Sequence, residues 1–296
     1  MVFLTLEEGQ LGVQVGEVVV DLVKAGAAMG MSLTACSLIE LVESGDEEAY
    51  KAWDIGKEAA ASGIAARNFD QVKPLAPFPE PKRNIFCLGM NYFEHAREVA
   101  GKVNQGNDIS KRLVVFTKAT TSVIGPGVNI PSHSELTSKL DYEAELALVI
   151  GKKGKDISGD RAYDYLFGYT AMNDVSARDL QADHLQWFRG KSLDGFAPMG
   201  PVLVHRSVMP SPKEIEITCR VNGEERQRAT LDRLIFDVPA IISTLSRGMT
   251  LMPGDIIATG TPAGVGMGFS PPRYLSSGDE IVVEVTGVGR LSNRVA

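Results

Sequence analysis

The chain has 296 residues, of which 44% are hydrophobic and 23% charged, with a formal net charge of −7 and a pI near 5.3. This ordinary globular composition excludes disordered, coiled-coil and collagen-like architectures, and the length predicts a main domain large enough for an enclosed site plus a smaller appendage. An acidic chain with no dense Lys/Arg cluster repels a phosphate backbone, which excludes nucleic acid as a partner. The first ten residues carry acids by position seven, and the nearest apolar run, at 18–20, is too short for a signal core. No stretch reaches the roughly 18 apolar residues that span a bilayer. Three cysteines, Cys36, Cys87 and Cys219, form no close pair, which excludes a Cys-based zinc cluster and fits a reducing compartment. A cytoplasmic protein with no membrane partner is the expectation.

In chain order, residues 11–22 predict a hairpin about Gly16. Two helices follow, at 33–42 and 47–61, the second rich in Ala, Glu and Lys and preceded by the cap candidates Ser44, Gly45 and Asp46. The segment K-P-L-A-P-F-P-E-P-K at 73–82 is neither helix nor central strand, because proline fixes φ and lacks a donor. The expected division is a small α+β domain at 1–72, a Pro-rich linker at 73–83 and a main domain at 84–296. That main domain reads as β-rich, with strands at 84–88, 113–118, 142–150, 202–204, 214–221, 255–258 and 280–285. Asn222-Gly223 marks a tight hairpin. One helix interrupts the strands, capped by Asp237, with Val238, Ile241, Ile242 and Leu245 on one face and Gly248 at its end. The fold class is therefore α+β, mostly β.

The run L-D-Y-E-A-E-L-A-L-V-I at 140–150 begins with alternation that puts Asp141, Glu143 and Glu145 on one face of a strand. Two glutamates about 7 Å apart repel by on the order of 2 kcal/mol at an effective dielectric near 20, and a cation turns that repulsion into a binding site. Oxygen ligands without thiolate favour Mg²⁺ or Mn²⁺, with Ca²⁺ behind them. Spacing alone equally describes a solvated edge strand, although the continuously apolar run 146–150 reads as buried on both faces. A second acidic element, Y-T-A-M-N-D-V-S-A-R-D at 169–179, reads as a strand ending at Asn173-Asp174 and a helix starting near Ser176. On local pattern Asp174 is more readily a helix cap than a ligand.

Four ordered motifs bear on that choice: D-Y-E-A-E-L at 141–146, N-D-V-S-A-R-D-L-Q at 173–181, G-K-S-L-D-G-F-A-P-M-G-P at 190–201 and G-T-P-A-G-V-G at 260–266. Together they resemble the fumarylacetoacetate hydrolase (FAH) family from about residue 83 to the C-terminus, with the first eighty residues similar to the N-terminal extension of its bacterial members. The resemblance implies the family's mixed β roll, a homodimer, and Glu143, Glu145 and Asp174 as metal ligands. It also implies that the metal acts as a Lewis acid on a small 2-oxo acid.

G-M-N-Y-F-E-H-A-R-E at 89–98 is similar to the family segment carrying a His and a Glu on a short helix, and the i, i+3 spacing puts His95 and Glu98 on one face. The resemblance makes His95 the base that activates water and Glu98 its support, and Lys191 a catalytic stabiliser of negative charge. It places Arg178 and Gln181 against the substrate and Thr261 at its carboxylate. Residues 101–108, polar and Gly-bearing, suit a lid. Asn91 stands where members that cleave fumarylacetoacetate carry a further metal-binding aspartate. This departure moves the reading toward acylpyruvate-type members: hydrolysis of a C–C bond in a 1,3-diketo acid with pyruvate enolate leaving. Decarboxylation of oxaloacetate, isomerisation of a hydroxymuconate-type diacid, and a catalytically silent ligand-binding homologue are the alternatives.

Overall fold

The computed structural model describes residues 1–101 and 112–296; residues 102–108 of the expected lid therefore lie outside the described residues. The hairpin about Gly16 forms, with strands Leu11–Val15 and Val18–Asp21 pairing antiparallel across a turn in which Gly16 has φ +62°. Its second strand runs straight into a helix that apolar patterning did not separate from it. Leu22–Met29 is capped by Asp21, whose side chain accepts from Lys24 N, and is closed by Gly30 in the left-handed region. The next helix starts at Leu38 rather than near 33, because Ser37 and Glu40 form a reciprocal capping box that sets the start more firmly than periodicity does. Asp46–Ser62 follows closely as expected, with acids Asp46, Glu47 and Glu48 in the first turn where the helix dipole favours them.

The N-terminal strand Val2–Thr5 joins the two parts of the chain. It pairs with Leu11–Val15 on one side and with Ala197–His205 on the other, both antiparallel. The main sheet thus runs Ala66–Asn68, Val18–Asp21, Leu11–Val15, Val2–Thr5, Ala197–His205, Leu166–Asn173, Ala144–Ile150, Ile256–Ala258, Ile85–Gly89, Val114–Lys118. It is mixed, since Ile256–Ala258 lies parallel to Ile85–Gly89. A second sheet, ordered Glu224–Thr230, Glu216–Val221, Glu280–Val285, Gly289–Arg294, contains the Asn222-Gly223 hairpin with both turn residues at positive φ.

Two hydrophobic cores flank the main sheet. Ala147 and Val149 enter one core with Leu41, Ala52, Ile55, Phe167 and Leu203. Leu146, Leu148 and Ile150 enter the other with Ile217, Val283, Leu291 and the inner face of the helix Val238–Ser246. The continuous apolar run therefore is buried on both faces, alternate residues serving alternate cores. The N-terminal segments share the first core with the main sheet. Among the described residues no helix is long and apolar enough to cross a membrane.

Candidate metal and catalytic site

The strand carrying the glutamates is interrupted. Leu140–Asp141 pairs with Ser176–Ala177, residues 142–143 belong to neither strand, and Ala144–Ile150 enters the main sheet. There the register sets Glu145 opposite Met172 and Ala144 opposite Asn173, which carries Asp174 alongside Glu143. Asp174 N donates to Glu143 O at 2.8 Å and Glu143 N donates to Asn173 Oδ1 at 3.0 Å. The result is a buried cluster in which one carboxylate oxygen each of Glu143, Glu145 and Asp174 lies within 4.8 Å of the others. Asp141, expected on the same face, shares the Arg178 guanidinium with Glu143 but is not one of the three converging acids.

Three cations answer these acids. Lys191 Nζ donates to Glu143 Oε2 and to Asp174 Oδ2, both at 2.8 Å. Lys118 Nζ donates to Asp174 Oδ1 at 2.6 Å and to Val175 O at 3.0 Å. Arg178 donates from Nε to Asp141 Oδ2 at 2.8 Å and from Nη1 to Gln181 Oε1 at 3.0 Å, while its Nη2 makes an ion-pair contact with Glu143 Oε1 at 2.7 Å. Burial alone would raise the Glu143 pKa, but Lys191 and Arg178 hold it below the usual carboxylate range. Burial likewise pulls Lys191 down, yet Asp174 and Glu143 outweigh it and keep that ammonium charged. For Lys118, burial prevails over Asp174 and lowers the pKa.

Glu145 is the acid left over. Its Oε2 accepts from Gly260 N at 2.8 Å, and its Oε1 is buried without a hydrogen-bond partner among the described residues. Burial first, then the charges of Asp174 and Glu143, push its pKa well above the ordinary value. A buried carboxylate in this state needs either a proton or an added cation. With three oxygen ligands converging and no sulfur or imidazole among them, the residues fit a hard divalent ion.

His95 and Glu98 lie on the helix Phe93–Glu98, with His95 Nδ1 3.1 Å from Glu98 Oε2. Glu98 Oε1 accepts from Gly264 N at 2.9 Å. The turn packs so closely that a Cβ at Gly268 would stand 2.0 Å from Glu98 Oε1, and one at Gly264 would stand 1.8 Å from Arg226 O. Only glycine admits this approach. The same turn is held from its other end by Asp141, which accepts from Gly266 N at 2.6 Å and Met267 N at 3.0 Å.

His95, Arg178, Gln181, Lys191, Thr261 and Glu143 line one cavity of about 20 Å³, walled by Leu88, Met90, Val99, Phe116 and Trp187. Every residue expected from the sequence at the catalytic and substrate positions thus meets at one place or, for Glu98, stands one hydrogen bond behind it. Thr261 adds a complication: its hydroxyl donates to Ala144 O at 3.0 Å, so donating to a substrate carboxylate requires breaking that bond. Asn91 is committed elsewhere, accepting from Phe236 N at 2.8 Å and donating to Phe236 O and Thr259 O at 3.1 and 2.9 Å. Sequence reasoning missed Lys118 and Gln227. The available signal for Lys118 was a lysine closing an otherwise apolar strand; Gln227 carried none.

Carboxylates converging at a strand break, beside a His–Glu pair and a cavity, define a β-rich protein with an acidic triad that could hold a hard cation. The chain matches the fumarylacetoacetate (FAA) hydrolase C-terminal family over residues 84–296 and belongs to that family. It is 48% identical over 263 residues to the oxaloacetate tautomerase YisK of Bacillus subtilis, covering 88% of this chain and 86% of that protein. Among solved structures, a fumarylacetoacetate hydrolase from Exiguobacterium antarcticum superposes with a TM-score of 0.85 at 40% identity, covering 100% of this chain and 99% of that one. A maleylpyruvate hydrolase from Sphingobium sp. SYK-6, in complex with manganese(II) and pyruvate, gives a TM-score of 0.76 at 30% identity, covering 100% and 99%.

Proposed function

We propose that this chain interconverts the keto and enol forms of oxaloacetate or a 2-oxo diacid of similar size. The observation that carries the reading is the convergence of His95, Lys191, Arg178 and Gln181 on one cavity beside Glu143. Tautomerisation moves one proton between C3 and the C2 oxygen, a step that one imidazole beside a cationic group can carry out. The similarity to an oxaloacetate tautomerase over most of both chains supports the same choice.

An ionised Glu98 only accepts, so the His95 proton sits on Nδ1 and the Nε2 lone pair is the base. His95 removes the C3 proton, the electron pair moves onto the C2 oxygen, and the same imidazolium returns the proton there. Arg178 and Gln181 orient the substrate carboxylates, and Lys191 sets positive charge beside the oxygen on which the electron pair gathers. Trp187 and Phe116, ring centroids 5.3 Å apart, keep water from the reacting carbon. A divalent ion held by Glu143, Glu145 and Asp174, Mg²⁺ or Mn²⁺, would supply Lewis-acid polarisation of the carbonyl.

Acylpyruvate hydrolysis is the second reading, favoured by the His95–Glu98 pair, which suits water activation, and by the likeness to a maleylpyruvate hydrolase. The deciding experiment follows decay of the enol absorbance of oxaloacetate, and pyruvate release from oxaloacetate, acetylpyruvate and maleylpyruvate, with Mn²⁺ present. Enol decay that slows by roughly 10²–10⁴-fold in His95→Gln supports the tautomerase. Pyruvate from the acylpyruvates alone moves the assignment to hydrolysis, and pyruvate from oxaloacetate alone moves it to decarboxylation. Inactivity with intact Mn²⁺ binding makes the chain a silent homologue. We read the working form as a cytoplasmic homodimer on the family resemblance, and sedimentation of the purified chain tests the dimer.

A further inference from the structure

Gln227 lies on Glu224–Thr230, the outer strand of the second sheet, yet its side chain is 1% exposed and reaches across to the interrupted carboxylate strand. Its Oε1 accepts from Ala144 N at 3.0 Å, and its Nε2 donates to Thr261 Oγ1 and to Pro262 O, each at 2.8 Å. Both amide hydrogens therefore have partners. The orientation is dictated by those partners, because a flipped amide would set NH₂ against the Ala144 N–H and its oxygen against the Pro262 carbonyl. Thr261 Oγ1, accepting from Gln227, passes its own proton to Ala144 O at 3.0 Å.

Ala144 is the residue between Glu143 and Glu145. Its N–H belongs to the peptide unit that follows Glu143, and its C=O belongs to the unit that precedes Glu145. One amide and one hydroxyl thus grip both peptide planes from which the two carboxylates project, at the end of the strand, where Leu166–Asn173 pairs with it but Ile256–Ala258 no longer does. The same amide fixes Pro262 in the turn whose Gly260 N–H binds Glu145.

From this geometry we infer that Gln227 is a positioning residue: it sets the separation of the Glu143 and Glu145 carboxylates and ties it to the Thr261–Pro262 turn. It touches neither substrate nor ion. Its effect runs through the Ala144 backbone, and its substitution weakens metal binding before it affects any chemical step. The inference rests on the reading of Glu143, Glu145 and Asp174 as the metal site.

The test uses the full chain and reads Mn²⁺ affinity directly, from the free-ion EPR signal, with no turnover involved. Gln227→Met keeps length and burial while removing all three hydrogen bonds, and Thr261→Val removes the hydroxyl link to Ala144. Each variant is expected to raise the Mn²⁺ Kd by roughly 10–100-fold, as loss of a group that orients a ligand does. The double variant is expected to be no weaker than the weaker single, because both act through the same peptide planes. If Gln227→Met fails to fold, Gln227→Glu takes its place: it keeps an acceptor for Ala144 N and sets a carboxylate oxygen against Thr261 and Pro262. Folded variants that bind Mn²⁺ within about twofold of the parent, or additive losses in the double variant, overturn the role of Gln227. A parent chain that binds no Mn²⁺ overturns the metal-site reading and this inference together.

Discussion

At the residue scale, the imbalance at Glu145 makes the sharpest prediction. It is the one acid of the triad without a cationic partner, and its Oε1 is buried and unpartnered among the described residues. Glu145→Gln removes the cost of burying or protonating that carboxylate and leaves the shape unchanged, so without metal at neutral pH the variant should melt a few degrees higher than the parent. With Mn²⁺ the order should reverse. The parent gains about 2.7 kcal/mol at a free ion concentration 100 times its Kd, while the variant gains little. Differential scanning fluorimetry in chelator and in Mn²⁺ reads both signs, and a variant less stable than the parent in chelator would make Glu145 a structural residue. A second prediction concerns Gly268, where a Cβ would meet Glu98 Oε1. Gly268→Ala should lower kcat by more than about tenfold by displacing Glu98 from His95, with Mn²⁺ affinity unchanged because the triad lies elsewhere.

At this same scale the sequence was most readable. Glu143, Glu145 and Asp174 stand in short motifs whose spacing survives folding, and so do His95, Glu98, Arg178, Gln181 and Lys191. Groups that arrive from distant strands were not readable. Lys118 reaches Asp174 from 56 positions away and Gln227 reaches Ala144 from 83, and no local pattern encodes such a meeting. Asp141, read on the face of Glu143, meets Glu143 at the Arg178 guanidinium, and its second role of anchoring the glycine turn 125 positions away is a contact that period two does not encode.

At the scale of elements, helix starts were decided by side-chain caps that apolar periodicity does not see. The helix Leu38–Ser44 rests on the Ser37–Glu40 box, and Ser37→Ala should destabilise the chain by about 1 kcal/mol, measurable as a lower urea midpoint. Where the helix Asp46–Ser62 meets the main sheet, His205 Nε2 lies 3.2 Å from Asp46 Oδ1 and Arg206 Nη1 donates to the same oxygen at 2.9 Å. Burial lowers the His205 pKa despite Asp46. The unfolded chain takes up this proton near pH 6.5 and the folded chain only at lower pH. The unfolded state therefore binds more protons in that window, and stability falls as pH drops below about 6.5. Denaturation between about pH 7.5 and pH 5.5 should show this slope in the parent and a shallower one in His205→Gln.

At the scale of the whole molecule, the division at the proline-rich segment is visible in composition but does not separate two cores. Leu41, Ala52 and Ile55 pack with Phe167, Leu203 and Val149, and Val2–Thr5 covers the edge of Ala197–His205. The non-local pairing that joins them was invisible to local pattern, as the strand at residues 2–5 itself was. A chain beginning at residue 84 should expose that edge and its apolar face, and light scattering should show it aggregating where the full chain stays dispersed.

That pairing also has a consequence in time. Val2–Thr5 is made before its partner Ala197–His205, which follows almost 200 residues later, roughly 10 to 40 s at about 5–20 residues per second. The strand Ala144–Ile150 is completed later still, because its second neighbour is Ile256–Ala258. The nascent chain thus holds its acidic cluster outside a complete sheet until residues 256–258 are made, and the candidate metal site closes only after them.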